Sequence, residues 1–199
     1  MYSSERASKI VTKDIAYLSA GIQDDVKLVS VKYEKSPQEN KFLEFRFEKD
    51  NRSFTATEWE PRKNDNMTEE DFQNKCDNQF SRIMQILKCF YPNDTDRQFT
   101  GENFEQFAKW VVSMLEKADL NTLLRVKIVY NSNGYTSLPK YAKYTFIEPM
   151  SVVNEGKSVV VKLGIDMFER PIVANTEEAN PNPIITTTTV ENKVSDLPF

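Results

Sequence analysis

The sequence predicts a mainly β fold: five or six strands curled into one barrel, two helices between the third strand and the fourth, and a disordered tail from residue 171. Three features carry this. Alternating apolar and polar residues recur in short runs between Pro, Asn and Asp turn signals. Two stretches with helical spacing stand together in the middle of the chain. Beyond Pro171 the aromatic residues stop until Phe199.

Taken in order, the first ten or so residues read as frayed, and Lys9 to Ala20 fits a short helix or a short strand before Gly21 breaks the pattern. Val26 to Tyr33 is β-branched and partly alternating and ends at the turn-rich Ser36-Pro37-Gln38-Glu39-Asn40, which makes it strand one. Lys41 to Glu48 puts Leu43, Phe45 and Phe47 on one face and Glu44, Arg46 and Glu48 on the other. After the tight turn Asp50-Asn51, Ser53 to Glu60 forms strand three and stops at Pro61.

Thr68-Glu69-Glu70-Asp71 has the form of a capping box, and Phe72, Cys76, Phe80, Ile83, Leu87 and Phe90 recur at helical spacing up to Pro92. A second helix is predicted from about Glu102 to Ala118, with Phe104, Phe107, Ala108, Val111 and Leu115 as its apolar stripe. Leu123 to Tyr130 reads as strand four, with Leu124, Val126, Ile128 and Tyr130 inward and Arg125 and Lys127 outward. Asn133-Gly134 is a turn, Tyr141 to Ile147 strand five, and Ser158 to Leu163 a sixth apolar strand. The tail carries four prolines and four consecutive threonines, a composition that buries too little to offset its ordering entropy.

Composition narrows the function. With 39% hydrophobic residues, 13 Phe and 8 Tyr, the chain can build one core in residues 1–170. No run of apolar residues is long enough to cross a membrane and the N-terminus lacks a secretory stretch, so a cytoplasmic protein without a membrane partner is predicted. Two cysteines, Cys76 and Cys89, make no disulfide framework. Histidine is absent, which removes Ser-His and Cys-His catalysis and the commonest zinc ligand, so neither cofactor nor metal is expected. What remains for an enzyme is Mg²⁺ and carboxylate chemistry, with Glu58 and Glu60, or Glu69, Glu70 and Asp71, as its only groupings.

Net charge is −4, but its distribution matters more. From residue 171 onward one base, Lys193, faces Glu177, Glu178, Glu191 and Asp196, whereas Leu120 to Ile147 holds Arg125, Lys127, Lys140 and Lys143 and no acid. That segment also contains Tyr135, Tyr141 and Tyr144. Flat rings on which bases stack, set among cations that track phosphates, are what non-specific binding of single strands requires. Strands two and three add Arg46 and Trp59, the latter on the polar face of Ser53, Thr55 and Thr57, with Arg62 and Lys63 just beyond. The expected strand-binding set is therefore Arg46, Trp59, Arg62, Lys63, Arg125, Lys127, Tyr135, Lys140, Tyr141 and Lys143.

Three strands, helices, then two strands is the order of the oligonucleotide-binding (OB) barrel. Gly21-Ile22 with Val26-Lys27-Leu28, Lys41 to Phe45, Thr57-Glu58-Trp59-Glu60-Pro61, Arg125 to Tyr130, Gly134-Tyr135, Leu138 to Tyr141 and Phe146 to Met150 together resemble the OB-fold single-stranded DNA-binding proteins of large tailed bacteriophages. The ending Asp196-Leu197-Pro198-Phe199 resembles the tip of the bacterial single-stranded DNA-binding proteins. The resemblance implies a coating protein that protects single-stranded DNA during replication, recombination and repair in an infected host, and recruits replication proteins through that tip. Against the bacterial proteins the helical insert is long, the tether is rich in Thr and Asn, and the tip has a single Asp. The long insert puts the bacterial tetramer in doubt and leaves homo-oligomerisation open. The competing reading is an OB-type adaptor that binds protein and no nucleic acid.

Overall fold

The structure is a computed structural model that describes residues 16–171. Strands β1 (Ala16–Tyr17), β2 (Gly21–Lys35), β3 (Lys41–Lys49) and β4 (Arg52–Trp59) come first. Helix α1 (Glu69–Lys88), a 3-10 turn (Asp94–Arg97) and helix α2 (Phe104–Glu116) follow. Then come β5 (Leu124–Tyr130), β6 (Thr136–Ser137), β7 (Ile147–Pro149) and a short helix α3 (Met150–Asn154).

All seven described strands join one sheet in the order β1-β4-β3-β2-β5-β6, with β7 also on β5. The sheet curls because β2 serves two partners. Its later part runs antiparallel to β3 from Lys27 to Lys35, and its beginning runs antiparallel to β5, from Gly21 opposite Ile128 to Val26 opposite Leu124. Register shifts at Gln23/Val26 and Leu28/Ser30 break the two ladders, and Asp25 takes a positive φ of 56° inside the first. Irregularities of this kind bend a strand and raise its twist. The result is a half-barrel whose concave side holds the core.

That core forms where period-two patterning puts it. Leu43, Phe45 and Phe47 of β3 are fully buried, with Phe54 and Ala56 of β4 beside them. The β3–β4 hairpin closes with Lys49 opposite Arg52, and its two turn residues, Asp50 and Asn51, have φ of 48° and 61°. Two central residues at positive φ make the turn whose twist suits a hairpin, and Asp and Asn tolerate that region best among residues with a Cβ. Helix α1 begins as expected: the Thr68 hydroxyl accepts from the Asp71 amide at 3.1 Å while the Asp71 carboxylate accepts from the Thr68 amide. Ile83, Ile86 and Leu87 of α1, and Phe107, Ala108, Val111 and Leu115 of α2, cover the sheet.

Past β5 the expectations change. Both faces of β5 are covered, so Lys127 is buried and Arg125 half-buried, not solvent-facing as the alternation predicts. Tyr141 to Phe146 is not a strand, and of the expected strand five Ile147 alone joins the sheet, as the first residue of β7. The outer edge of β5 is instead served twice, by β6 at Val129 and Tyr130 and by β7 at Leu124 to Val126. Between them residues 138–145 leave the sheet, the Phe146 carbonyl accepts from the Lys127 amide at 2.8 Å, and side chains of α1 take over backbone groups that a ladder would have paired. Arg82 donates to the carbonyl of Lys140 at 3.1 Å and Gln85 to those of Ala142 and Tyr144, while Gln85 Oε1 accepts from the Phe146 amide.

Ser158 to Leu163 also lacks strand pairing. Its alternation is real, with Val160 buried and Val159 and Val161 exposed, but side chains hold it: the Glu148 carboxylate accepts from the Ser158 hydroxyl and from the Val159 amide at 3.0 Å, and the Asp166 carboxylate accepts from the Leu163 amide at 2.7 Å. At the other end, the described part of Lys9 to Ala20 contains β1, parallel to β4. The remainder of that stretch and residues 172–199 lie outside the described residues.

Candidate functional site

An open cleft of about 780 Å³ lies between the end of β4 and the polar side of α1. Trp59 lines it because alternation on β4 turns Phe54, Ala56 and Glu58 inward and Trp59 outward, leaving that residue 49% exposed. Phe42, the cross-strand neighbour of Trp59, backs the indole with ring centroids 4.7 Å apart. From α1, Gln79 donates to the Trp59 carbonyl at 2.8 Å and fixes the backbone beneath it.

The floor of the cleft is an ion-pair network. The Glu58 carboxylate, 4% exposed, accepts from Arg82 at 2.9 Å, from Gln79 at 3.1 Å and from Lys140 at 2.8 Å. Burial acts to raise the Glu58 pKa, but Lys140 and Arg82 outweigh it and hold the carboxyl below its ordinary value. Lys140 still presents half of its side chain to solvent. With Lys41, Arg62 and Lys75 at the rim, the lining has five cations against three carboxylates, Glu58, Glu60 and Asp71. Arg62 bonds to Asn40, and Lys75 donates to the Arg62 carbonyl at 3.0 Å, so these two rim cations are oriented by uncharged acceptors, whereas Lys41 is paired with Glu105 at 3.3 Å and lies 3.8 Å from Glu60.

The segment from Leu138 to Phe146 borders this cleft through Lys140 and carries further rings. Tyr144 is exposed, meets Tyr141 edge-on at 5.6 Å, and has the Lys143 ammonium 5.9 Å from its ring centre. Tyr141 is half-buried: its hydroxyl accepts from Lys127 at 2.8 Å and donates to Asp166 at 2.9 Å.

Of the predicted residues, Trp59, Arg62 and Lys140 therefore line one cleft, with Tyr141 and Lys143 on the adjoining segment. Lys127 does not belong to any exposed surface. Its side chain is 1% exposed and paired with Asp166 at 2.8 Å, because the chain beyond β7 crosses over the outward face of β5. Burial favours the neutral acid at Asp166, yet the bonds from Lys127, the Leu163 amide and Tyr141 prevail and depress its pKa. Arg125 is likewise committed, its guanidinium held by both Asp24 oxygens at 2.5 and 2.8 Å and by Ser158 at 2.9 Å. The bond from Arg125 lowers the Asp24 pKa against the opposing effect of burial.

Arg46 is exposed but paired with Glu48 at 2.9 Å, Lys63 is paired with Glu69, and Tyr135, 68% exposed, sits in the turn between β5 and β6; none of these three lines the cleft. The tip, Asp196, Leu197, Pro198 and Phe199, lies outside the described residues. Sequence reading missed Arg82, Lys75, Gln79, Asn74 and Asn78, all on the polar side of α1. Attention to the apolar stripe of that helix hides them, although an arginine one position before the buried Ile83 is a signal.

The carboxylates considered for metal chemistry are dispersed: Glu58 is spent on cations and Asp71 on its capping box. Among the described residues no three side chains group as metal ligands, and no helix is long and apolar enough to cross a membrane. Both cysteines are free, and burial pushes the Cys89 thiol up to about 12. Compared with protein-family models, with curated proteins and with solved structures, the chain matches none.

Proposed function

We propose that this protein binds single-stranded DNA along the cleft between β4 and α1, as a coating protein and not as an enzyme. The observation that carries the reading is Trp59: a half-exposed indole, fixed from behind by Phe42 and from below by Gln79, at the lip of a cleft with a surplus of cations. A preorganised ring costs little entropy when a base stacks on it, and base–aromatic stacking tolerates any sequence. The sheet order supports an OB-type barrel, since β4-β3-β2-β5-β6 follows the OB succession with the helical insert after the third strand of that set. The acidic tail and its Asp196-Leu197-Pro198-Phe199 tip fit a tether that docks replication proteins.

Anisotropy of a labelled thymidine oligonucleotide, titrated at low salt against matched duplex, tests this. Tight single-strand binding that weakens steeply with salt and quenches Trp59 emission is the expected result. Absence of binding at low salt ends the proposal.

One observation favours the adaptor reading. On the other side of α1 a groove of about 580 Å³ is lined by Phe72, Phe80, Phe99, Phe104 and Phe107, with Glu60, Asp77 and Glu102 and no Lys or Arg. Such a surface repels phosphates and suits a protein segment bearing an apolar anchor and a cation.

A further inference from the structure

The cleft holds more than a ring and cations. Asn74 and Asn78 stand four residues apart on α1, hence on one face of the helix, and both line the same cleft as Trp59. Other amides there are occupied: Gln79 bonds to Glu58 and to the Trp59 carbonyl, and the Asn40 oxygen accepts from Arg62. Asn74 and Asn78 remain exposed on the wall. Each presents a carbonyl acceptor beside two amide donors, the pairing that meets the N6 donor and N7 acceptor of adenine together.

Resting on the single-strand reading above, we infer that Trp59, Asn74 and Asn78 form a base-reading pocket that prefers adenine. A base stacked on Trp59 would have its edge free, and the amide wall across the cleft supplies what that edge needs. Stacking and phosphate contacts alone give sequence-neutral binding; the helical insert adds readout to it. Thymine and cytosine offer a smaller face to the indole. On the edge that carries N7, guanine presents two acceptors, O6 and N7, where adenine presents one donor and one acceptor.

The test uses the full chain and four labelled 12-nucleotide strands: all thymidine, and thymidine interrupted by adenosine, by guanosine or by cytidine at the same positions. Anisotropy at fixed salt should give at least about fivefold tighter binding to the adenosine strand, the lower end of what one bidentate amide–adenine pair discriminates. In Asn74→Ala/Asn78→Ala, two exposed helix positions where alanine favours the helix, that ratio should collapse to below about twofold. Equal affinities for all four strands, equal preference for guanosine and adenosine, or a preference that survives the double substitution would overturn the inference and leave single-strand binding standing. Failure of every strand to bind at low salt would instead remove the underlying reading.

Discussion

Two lysines of the same acid-free stretch, Leu120 to Ile147, meet opposite fates. Lys127 and Lys140 each end on a buried carboxylate, Asp166 and Glu58, and each has a tyrosine nearby, but Lys127 is 1% exposed whereas Lys140 keeps 56% of its side chain in solvent. The difference lies in what crosses above them. The chain from Leu163 to Asp166 closes over the outward face of β5, and Lys127, Tyr141 and Asp166 become a sealed knot that fastens the last described segment to the sheet. Nothing in the described fold lies across the mouth of the β4–α1 cleft, and there the same chemistry stays available to a ligand. Charge type therefore says little about role. The covering segment decides.

The largest effect expected from this comparison is on the knot. Asp166→Asn leaves Lys127 buried without its counter-charge and should cost about 3–5 kcal/mol in urea unfolding, the usual penalty for removing one partner of a buried pair. A cost under about 1 kcal/mol would mean that the knot opens readily and that Lys127 belongs with the exposed set after all.

Trp59→Ala should do the reverse. Affinity for a thymidine oligonucleotide falls by about 1–3 kcal/mol, roughly 5- to 150-fold, the range for one base–aromatic stack. Urea stability changes far less than in Asp166→Asn, because Trp59 is already half-exposed. Binding that survives this substitution would move the interface away from the cleft.

Thr68→Ala probes the cleft wall without touching its contents. Loss of the N-cap should cost about 1 kcal/mol of thermal or urea stability, and local hydrogen exchange should rise in the first turn of α1 before it rises around Asp166.

The mildest test is acid. Asp166 and Glu58 are held below their ordinary values in the fold, so the stability they contribute is fully present above the unfolded-state carboxyl range near about pH 4. It is lost as pH falls through their lower folded-state values. A scan of Tm against pH should fall across that window, and Asp166→Asn should flatten the fall.

What was legible in the sequence was local. The Leu43, Phe45, Phe47 face, the Asp50-Asn51 turn, the Thr68 capping box and the outward Trp59 depend on neighbours within a few residues. What was illegible depends on pairings across long separations. Arg82 meets Glu58 24 positions away, Lys127 meets Asp166 39 positions away, and Lys140 meets Glu58 82 positions away. Alternation on β5 is genuine, but period two only separates two faces and cannot tell that both are covered. The strand expected at Tyr141 to Ile147 failed up to Phe146 for a related reason: the carbonyls of Ala142 and Tyr144 and the Phe146 amide are met by Gln85, a side chain of a helix that no strand pattern includes.

The division of β2 between two partners also sets an order of events. Its later part finds β3, and β3 finds β4, through turns of a few residues, so this meander can close on the microsecond scale typical of hairpins. Its beginning must wait for β5, since Gly21 pairs with Ile128 and the whole helical insert lies between. On a ribosome adding about 5–20 residues each second, that edge stays unpaired for several seconds. The bulged, charged stretch Gln23-Asp24-Asp25 lies at that waiting edge, where irregularity and negative charge discourage pairing with a foreign strand.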